Sequence, residues 1–293
     1  MGKLGSYING NYRVTIFEDG TKVRDNKLDC FVPEKPESMD IKITNQCDCG
    51  CPFCHENSVP DGKHGDILDI PFLDTLLPYT ELAIGGGNPL AHPDLIPFLK
   101  ILKEKNLIAN MTVNQKHFLA SQPLLQNLTK ENLVHGLGVS LTDYSDELFF
   151  DLHYFPNAVL HIINGVVNLD DLKKFYDEDF KILILGYKQF RRGKTYYSEK
   201  VESEKSKVYE ALPELIEHFK VVSFDNLAIK QLDVKRLLSD DEWAEMYMGD
   251  DGQFTMYVDM VNREFAKSST STTRYPVTEN IKDMFKVVRQ DIV

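Results

Sequence analysis

Asp40-Ile41-Lys42-Ile43-Thr44-Asn45-Gln46-Cys47-Asp48-Cys49-Gly50-Cys51-Pro52-Phe53-Cys54-His55-Glu56-Asn57-Ser58 is the stretch on which the reading of this chain turns. Its first five residues alternate polar and apolar and predict a β-strand. Four of the chain's five cysteines then fall between Cys47 and Cys54. Thiols this close together cannot staple distant segments, so they point to a metal or cluster site rather than a disulfide framework. Cys30 stands alone and reads as a small buried hydrophobe.

Cys47, Cys51 and Cys54 have the spacing C-x3-C-x2-C. Three thiolates on one tight loop can ligate three irons of a [4Fe–4S] cluster and leave the fourth iron open. Zinc is the rival; it prefers four ligands, commonly drawn from two separated pairs. The sequence has no second cysteine pair, which leaves Cys49 or His55 to complete a compact zinc site. Spacing favours the cluster and keeps zinc open.

On the N-terminal side, residues 11–25 alternate about Asp19-Gly20, a strong hairpin signal. On the C-terminal side, short β-rich runs alternate with helical spacing. Strands are predicted at 40–44, 81–84, 108–113, 135–141, 158–163, 180–185 and 221–224. Helices are predicted at 70–77, 92–105, 118–128, from the Ser145 cap to about 152, at 170–176 and at 206–219. Strand starts at Asp40, Glu81, Ile108, His135, Ala158 and Phe180 give about six βαβ units with right-handed crossovers. That is short of the eight in a closed barrel. The predicted fold is therefore α/β, a partial (β/α)6 TIM-like barrel with its site at the C-terminal strand ends. Residues 1–37 are expected to form the N-terminal β-hairpin and connector, and 38–225 the barrel. Residues 226–293 are expected to form a small C-terminal extension that caps it, with a strand at 254–261 and a closing helix at 281–288.

The segment Thr44-Asn45-Gln46-Cys47-Asp48-Cys49-Gly50-Cys51-Pro52-Phe53-Cys54 resembles the signature of the radical S-adenosylmethionine (radical SAM) superfamily. In that superfamily the cysteine loop follows the first strand of a partial barrel, with an aromatic residue before the third cysteine, the place Phe53 takes here. The resemblance covers roughly residues 38–225. It implies a [4Fe–4S] cluster on Cys47, Cys51 and Cys54, with S-adenosylmethionine (SAM) as the second cofactor. Cys49, at a variable position of the pattern, is expected to be a bystander, because a fourth thiolate would block SAM.

Gly85-Gly86-Gly87-Asn88-Pro89 is similar to the family's Gly-Gly-Glu-Pro element, which binds the SAM amino group. Gly87 stands where the family usually has Glu, so backbone carbonyls or Asn88 would have to serve. The resemblance further implies that Asn114 and Ser140 contact the SAM carboxylate and ribose. Ile163, in His161-Ile162-Ile163-Asn164-Gly165, would pack near adenine, with Leu185 beside it. His161 reads as a satisfied core histidine. Lys188, Arg191 and Arg192 form a basic turn that is either an anion-binding fork or a solvated loop. His55, Glu56, Tyr257 and Asp259 are lower-ranked candidates for the site mouth.

At 42% hydrophobic and 27% charged residues the chain has a globular composition. A formal charge of -12 argues against nucleic acid, whose binders need Lys and Arg to displace counterions. No apolar run approaches the roughly 20 residues of a membrane span, and no signal-peptide core precedes residue 11, so a cytoplasmic protein is expected. The resemblance implies a radical SAM enzyme acting on a peptide or small-molecule substrate and reduced by a donor such as flavodoxin or ferredoxin. A glycyl-radical-enzyme activase, a nucleoside-modifying enzyme and a non-catalytic zinc-binding module remain as alternatives. No cysteine follows Cys54, so residues 226–293 cannot hold an auxiliary cluster on cysteines.

Overall fold

Alternation in the strand segments produces a sheet with two unlike faces. The computed structural model describes residues 2–28 and 30–291, so Met1, Asp29 and residues 292–293 of the expected outer segments lie outside the described residues. Seven parallel strands run in sequence order: β4 (Ser38–Thr44), β5 (Glu81–Gly86), β6 (Ile108–Asn114), β7 (Gly136–Ser140), β8 (Ala158–Ile163), β9 (Lys181–Leu185) and β10 (Val221–Phe224). The first six are the predicted barrel strands, each within two residues of its expected start. Together they make the partial barrel.

On the face packed under the helices, Leu82, Ile84, Met111, Val139, Leu160, Ile162, Ile182 and Ile184 are almost completely buried in one core. The alternate residues face the barrel interior and are polar or small: Asp40 and Lys42, Ala83 and Gly85, Thr112 and Asn114, Gly138 and Ser140. Many of them, including Gly85, Thr112, Asn114, Ser140, His161, Ile163 and Leu185, are only half-buried. A closed eight-stranded barrel fills its interior with layers of branched side chains. Here the interior is left hollow.

Local chemistry sets the helix ends. The predicted helix 118–128 is two helices, α2 (Gln115–Ala120) and α3 (Gln122–Lys130), broken at Ser121. Pro123 explains the break, since its ring would clash with the carbonyl four residues back in a continuous helix. Ser145 does cap α4 (Asp146–Leu152), its hydroxyl accepting from the Leu148 amide at 3.2 Å. The predicted helix 70–77 is reduced to one 3-10 turn at Leu73–Thr75.

Two additions complete the sheet. At its β4 edge, β11 (Thr255–Asp259) pairs parallel to β4, and β12 (Glu264–Ala266) and β13 (Tyr275–Pro276) continue antiparallel. Part of the segment expected to cap the barrel is thus built into the sheet. Beneath the N-terminal strand ends, β1 (Lys3–Asn9), β2 (Tyr12–Phe17) and β3 (Lys22–Asp25) form a three-stranded antiparallel sheet. β2 and β3 flank the predicted Asp19-Gly20 turn, while β1 has no counterpart among the predicted strands. Tyr12, Val14 and Ile16 pack there against Ile108 and Phe254. Glu37, fully buried at the start of β4, accepts a two-pronged contact from Arg24 at 2.8 and 3.0 Å and a bond from the Tyr12 hydroxyl at 2.6 Å.

Candidate functional site

Thr44 ends β4, and the chain then leaves the sheet into the cysteine loop at the C-terminal mouth of the barrel. The loop is held by main-chain bonds: the Asn45 amide donates to the Lys63 carbonyl at 2.8 Å, the Val59 amide to the Asn45 carbonyl at 3.0 Å, and the Cys47 amide to the Val59 carbonyl at 2.9 Å. Cys54 closes a tight turn by donating its amide to the Cys51 carbonyl at 3.2 Å. All four loop cysteines are unpaired thiols of intermediate burial.

Burial pushes the Cys51 thiol up from its usual range, and the neighbouring Cys54 and Cys47 thiolates push it further. Cys49 is pushed up to about 12, again chiefly by burial and then by Cys47 and Cys51. Thiolates that oppose one another's ionisation in this way form a donor set suited to iron, whose positive charge reverses the penalty. On the chemistry of its donors, the loop fits a thiolate-ligated metal group. Asn114, at the end of β6, approaches the same place, its carboxamide nitrogen 4.0 Å from Cys51 Sγ.

The glycine element lies directly against this loop. The Gly87 amide donates to the Thr44 carbonyl at 2.8 Å, and the Asn88 amide to the Gln46 carbonyl at 2.7 Å. Gly86 has φ +114°, and a Cβ there would sit 2.4 Å from the Thr44 oxygen. At Gly87 a Cβ would sit 2.2 Å from the Gln46 oxygen. A side chain at Gly87 would require the Gln46 carbonyl to move. Gly85 differs: a Cβ added there meets nothing within 4 Å, so its backbone borders open space in the hollow interior. That cradle suits a ligand lying along the strand.

Two of the expected side-chain contacts are already engaged. Asn88 Oδ1 accepts from the Leu90 amide at 3.1 Å and caps a short 3-10 helix. Asn114 Oδ1 accepts from the Lys116 amide at 2.9 Å and caps α2. Ser140 lies beside Asn114 in register at the end of β7. Phe53, Ile163 and Leu185 come together across more than a hundred residues of sequence, lining one pocket with His55, Gly186, Tyr187 and Lys188. In this pocket burial holds His55 well below its ordinary value, assisted by the charges of Lys188, Arg191 and Lys42.

Neither reading of the basic turn describes it fully. Arg191 donates to the Glu56 carbonyl at 2.8 Å and Arg192 to the Ser58 carbonyl, so both are fastened to the exit of the cysteine loop. Lys188 reaches His55 at 3.4 Å and Ser269 at 3.0 Å. Glu56 is the hub of this wall. Its carboxylate pairs with Lys42 at 3.0 Å, accepts from the Tyr257 hydroxyl at 3.1 Å and lies 3.5 Å from Arg191. Asp259 holds the other side of Lys42 at 3.3 Å. These charges are buried but mutually partnered, as buried ions must be.

Asp40, one inward step below Lys42, lines a cavity of about 470 Å³ at the opposite end of the strands. Desolvation by the protein around it raises its carboxyl above the usual range, against the pull of Lys188, although the residue stays exposed to the cavity. His161 lies over Gly138, where a Cβ would meet the ring at 2.4 Å, and burial alone lowers it to about 4.

His117 is the residue that sequence reasoning missed. From α2 it places Nε2 at 2.6 Å from Asp48 Oδ1 and 3.4 Å from Cys49 Sγ. Its separation of 68 residues from Cys49 carries no spacing signal. Lys42 was hidden for another reason: it sits in a strand whose alternation hides a buried cation among ordinary polar positions.

No family model matches the chain. A curated relative, the PqqA peptide cyclase of Gluconobacter oxydans (strain 621H), is 26% identical over 109 residues, covering 36% of this chain and 30% of that protein. Among solved structures, Streptococcus suis SuiB bound to the precursor peptide SuiA superposes with a TM-score of 0.58 at 14% identity, covering 87% of this chain and 65% of SuiB. SuiB bound to S-adenosylmethionine gives 0.57 at 14% identity, with 87% and 66% covered. The chain thus shares the SuiB fold and spans less than a third of the curated relative. No helix among the described residues is long and apolar enough to cross a membrane.

Proposed function

We infer that the chain is a radical SAM superfamily enzyme that modifies a peptide. The observation that carries this reading is the three-thiol loop at the end of the first barrel strand, opening onto a hollow interior beside the glycine cradle. The similarity to PqqA peptide cyclase and the SuiB–SuiA complex supports a peptide substrate over a small metabolite. In this reading the barrel comprises residues 38–225, flanked by an N-terminal segment, 1–37, and a C-terminal segment, 226–293.

When bound, a [4Fe–4S] cluster and SAM together supply a 5′-deoxyadenosyl radical that abstracts hydrogen from an unactivated carbon. The chain's residues bind and shield. Cys47, Cys51 and Cys54 would hold the cluster and leave one iron open. Gly85 would let SAM lie against the β5 backbone, with main-chain groups of Gly86, Gly87 and Asn88 bordering its amino group. Asn114 Nδ2 and Ser140 would border the carboxylate and ribose. Phe53, Ile163 and Leu185 would enclose the adenine, excluding water from a site where a primary carbon radical attacks whatever is nearest. Lys188 and His55, at the rim of that pocket, are placed to meet an anionic group of SAM or substrate. A flavodoxin or ferredoxin would supply the electron, which fits a cytoplasmic setting.

Anaerobic reconstitution with iron and sulfide tests this reading. About four Fe per chain and a broad absorption near 400 nm are expected. With SAM and dithionite the reconstituted protein should release 5′-deoxyadenosine, and Cys51→Ala should abolish both the iron and the product. A preparation that holds only zinc and forms no deoxyadenosine overturns it.

A further inference from the structure

The cysteine loop carries a second group of ligands that the C-x3-C-x2-C set does not use. Cys47, Asp48, Cys49 and His117 present one ligand atom each, all within 4.8 Å of one another. Three come from consecutive residues and the fourth from α2, whose N-cap residue Asn114 also approaches Cys51. Two soft thiolates, one imidazole and one carboxylate are the donors of a tetrahedral zinc-type site.

The spacing also suits an ion. Zn–S and Zn–N bonds at tetrahedral angles place sulfur and nitrogen about 3.5 Å apart. Cys49 Sγ and His117 Nε2 stand at 3.4 Å. Asp48 Oδ1 is nearer, at 2.6 Å from the same Nε2, and bonds it directly. An ion entering between them would replace that hydrogen bond and move the Asp48 side chain outward by less than 1 Å (roughly, from the same bond lengths). With its side chain 65% exposed, Asp48 can make that movement, while His117, at 8%, is held by the fold. The chain therefore has one fixed ligand, one adjustable ligand and two thiols.

We propose that Cys47, Asp48, Cys49 and His117 form a second metal site, for a single divalent ion such as Zn2+ or Fe2+, that shares Cys47 with the cluster ligands. The site itself stands apart from the proposed enzymatic activity; only the sharing of Cys47 rests on the cluster reading. Binding releases the two thiol protons to solvent as the metal–sulfur bonds form. Because Cys47 belongs to both sets, occupation by zinc opposes cluster assembly. Cys49 then acts in metal selection, with no part in the cluster itself.

Metal-stripped protein carrying Cys51→Ser and Cys54→Ser, which retains the proposed ligands but lacks two of the cluster thiols, is titrated anaerobically with Co2+. One equivalent should bind with thiolate charge-transfer bands and intense visible bands of a tetrahedral centre, and Zn2+ should bleach them. His117→Ala and Cys49→Ser in that background should each weaken binding at least ~10-fold, a loss of the size that follows removal of a supporting group. Binding as tight without His117 as with it, or only weak octahedral absorption, overturns the site. Should the double variant not fold, the parent chain and its His117→Ala form are titrated side by side, and the same loss is expected.

In the parent chain, one equivalent of Zn2+ added before reconstitution should lower iron uptake well below the level reached without it, and His117→Ala should restore it. Undiminished iron uptake with the ion bound overturns the sharing of Cys47. Failure to take up iron even without zinc speaks against the cluster reading alone and leaves the Co2+ result untouched.

Discussion

The two faces of the barrel sheet are made by the same strands and have opposite character. The outward face, with Ile84, Met111, Leu160 and Ile184 almost fully buried, is packed against helices. Along the same strands the inward face presents Gly85, Thr112, His161 and Leu185, all half-buried around a hollow. The difference shows that burial alone does not decide where a site forms. The inward face is divided further: between β4 and β11 it is filled by the Lys42–Glu56–Tyr257–Asp259 network, while between β5 and β9 it stays open. Stability is concentrated outside, and room for ligands is left inside.

The largest effect of a single substitution is expected on the packed face. Ile84→Ala should cost about 2–5 kcal/mol, because the surrounding side chains cannot collapse into the space left. Urea unfolding measures this, and a loss below about 1 kcal/mol would mean that the two faces do not differ in packing as described.

A smaller effect is expected from His161, which is half-buried on the inward face. Its folded value of about 4 lies below the ordinary 6.5. Between these values the unfolded chain binds a proton that the folded chain rejects. Stability is therefore unaffected above about pH 6.5 and falls as the pH drops towards 4, by about 2 kcal/mol between pH 7 and 5. His161→Gln should remove that part of the acid sensitivity. Identical denaturant midpoints for the two proteins' pH profiles would show that the imidazole is freely solvated.

The smallest stability effect is expected at Gly85. Gly85→Ala should leave unfolding within about 0.5 kcal/mol of the parent, since the new methyl meets open space. Gly86→Ala and Gly87→Ala, each driven into a carbonyl of the cysteine loop, should destabilise measurably. If SAM lies along β5, Gly85→Ala should nonetheless weaken SAM binding about tenfold in calorimetry of the reconstituted protein. Unchanged affinity would remove Gly85 from the proposed cradle.

Much of the fold was legible because it rests on short-range patterns. Strand alternation located β4 to β9, Asp19-Gly20 marked the turn between β2 and β3, and Ser145 announced α4. The reading failed where local signals competed. Pro123 divided a helix that apolar spacing alone made continuous, and a Pro71-containing run collapsed to a single turn. Strand β1 was missed because Lys3 to Asn9 is a short polar-apolar run, stabilised by pairing with β2 rather than by its own pattern. Of the candidate site, the cysteine loop and the glycine run were visible as clusters in sequence. The Oδ1 atoms of Asn88 and Asn114 looked available for ligands, yet in the fold each is taken up by a helix cap.

By itself the sequence determined the order of strands and helices, and which loop carries the thiols, because hydrophobic period and residue crowding act over a few positions. Only the tertiary structure decided what that loop touches. His117 reaches Cys49 and Asp48, Glu56 gathers Lys42, Tyr257 and Arg191, and Phe53 meets Ile163 and Leu185 because parallel strands bring distant C-terminal ends to one mouth. Such meetings depend on sheet register and crossover geometry, which no local run of residues encodes.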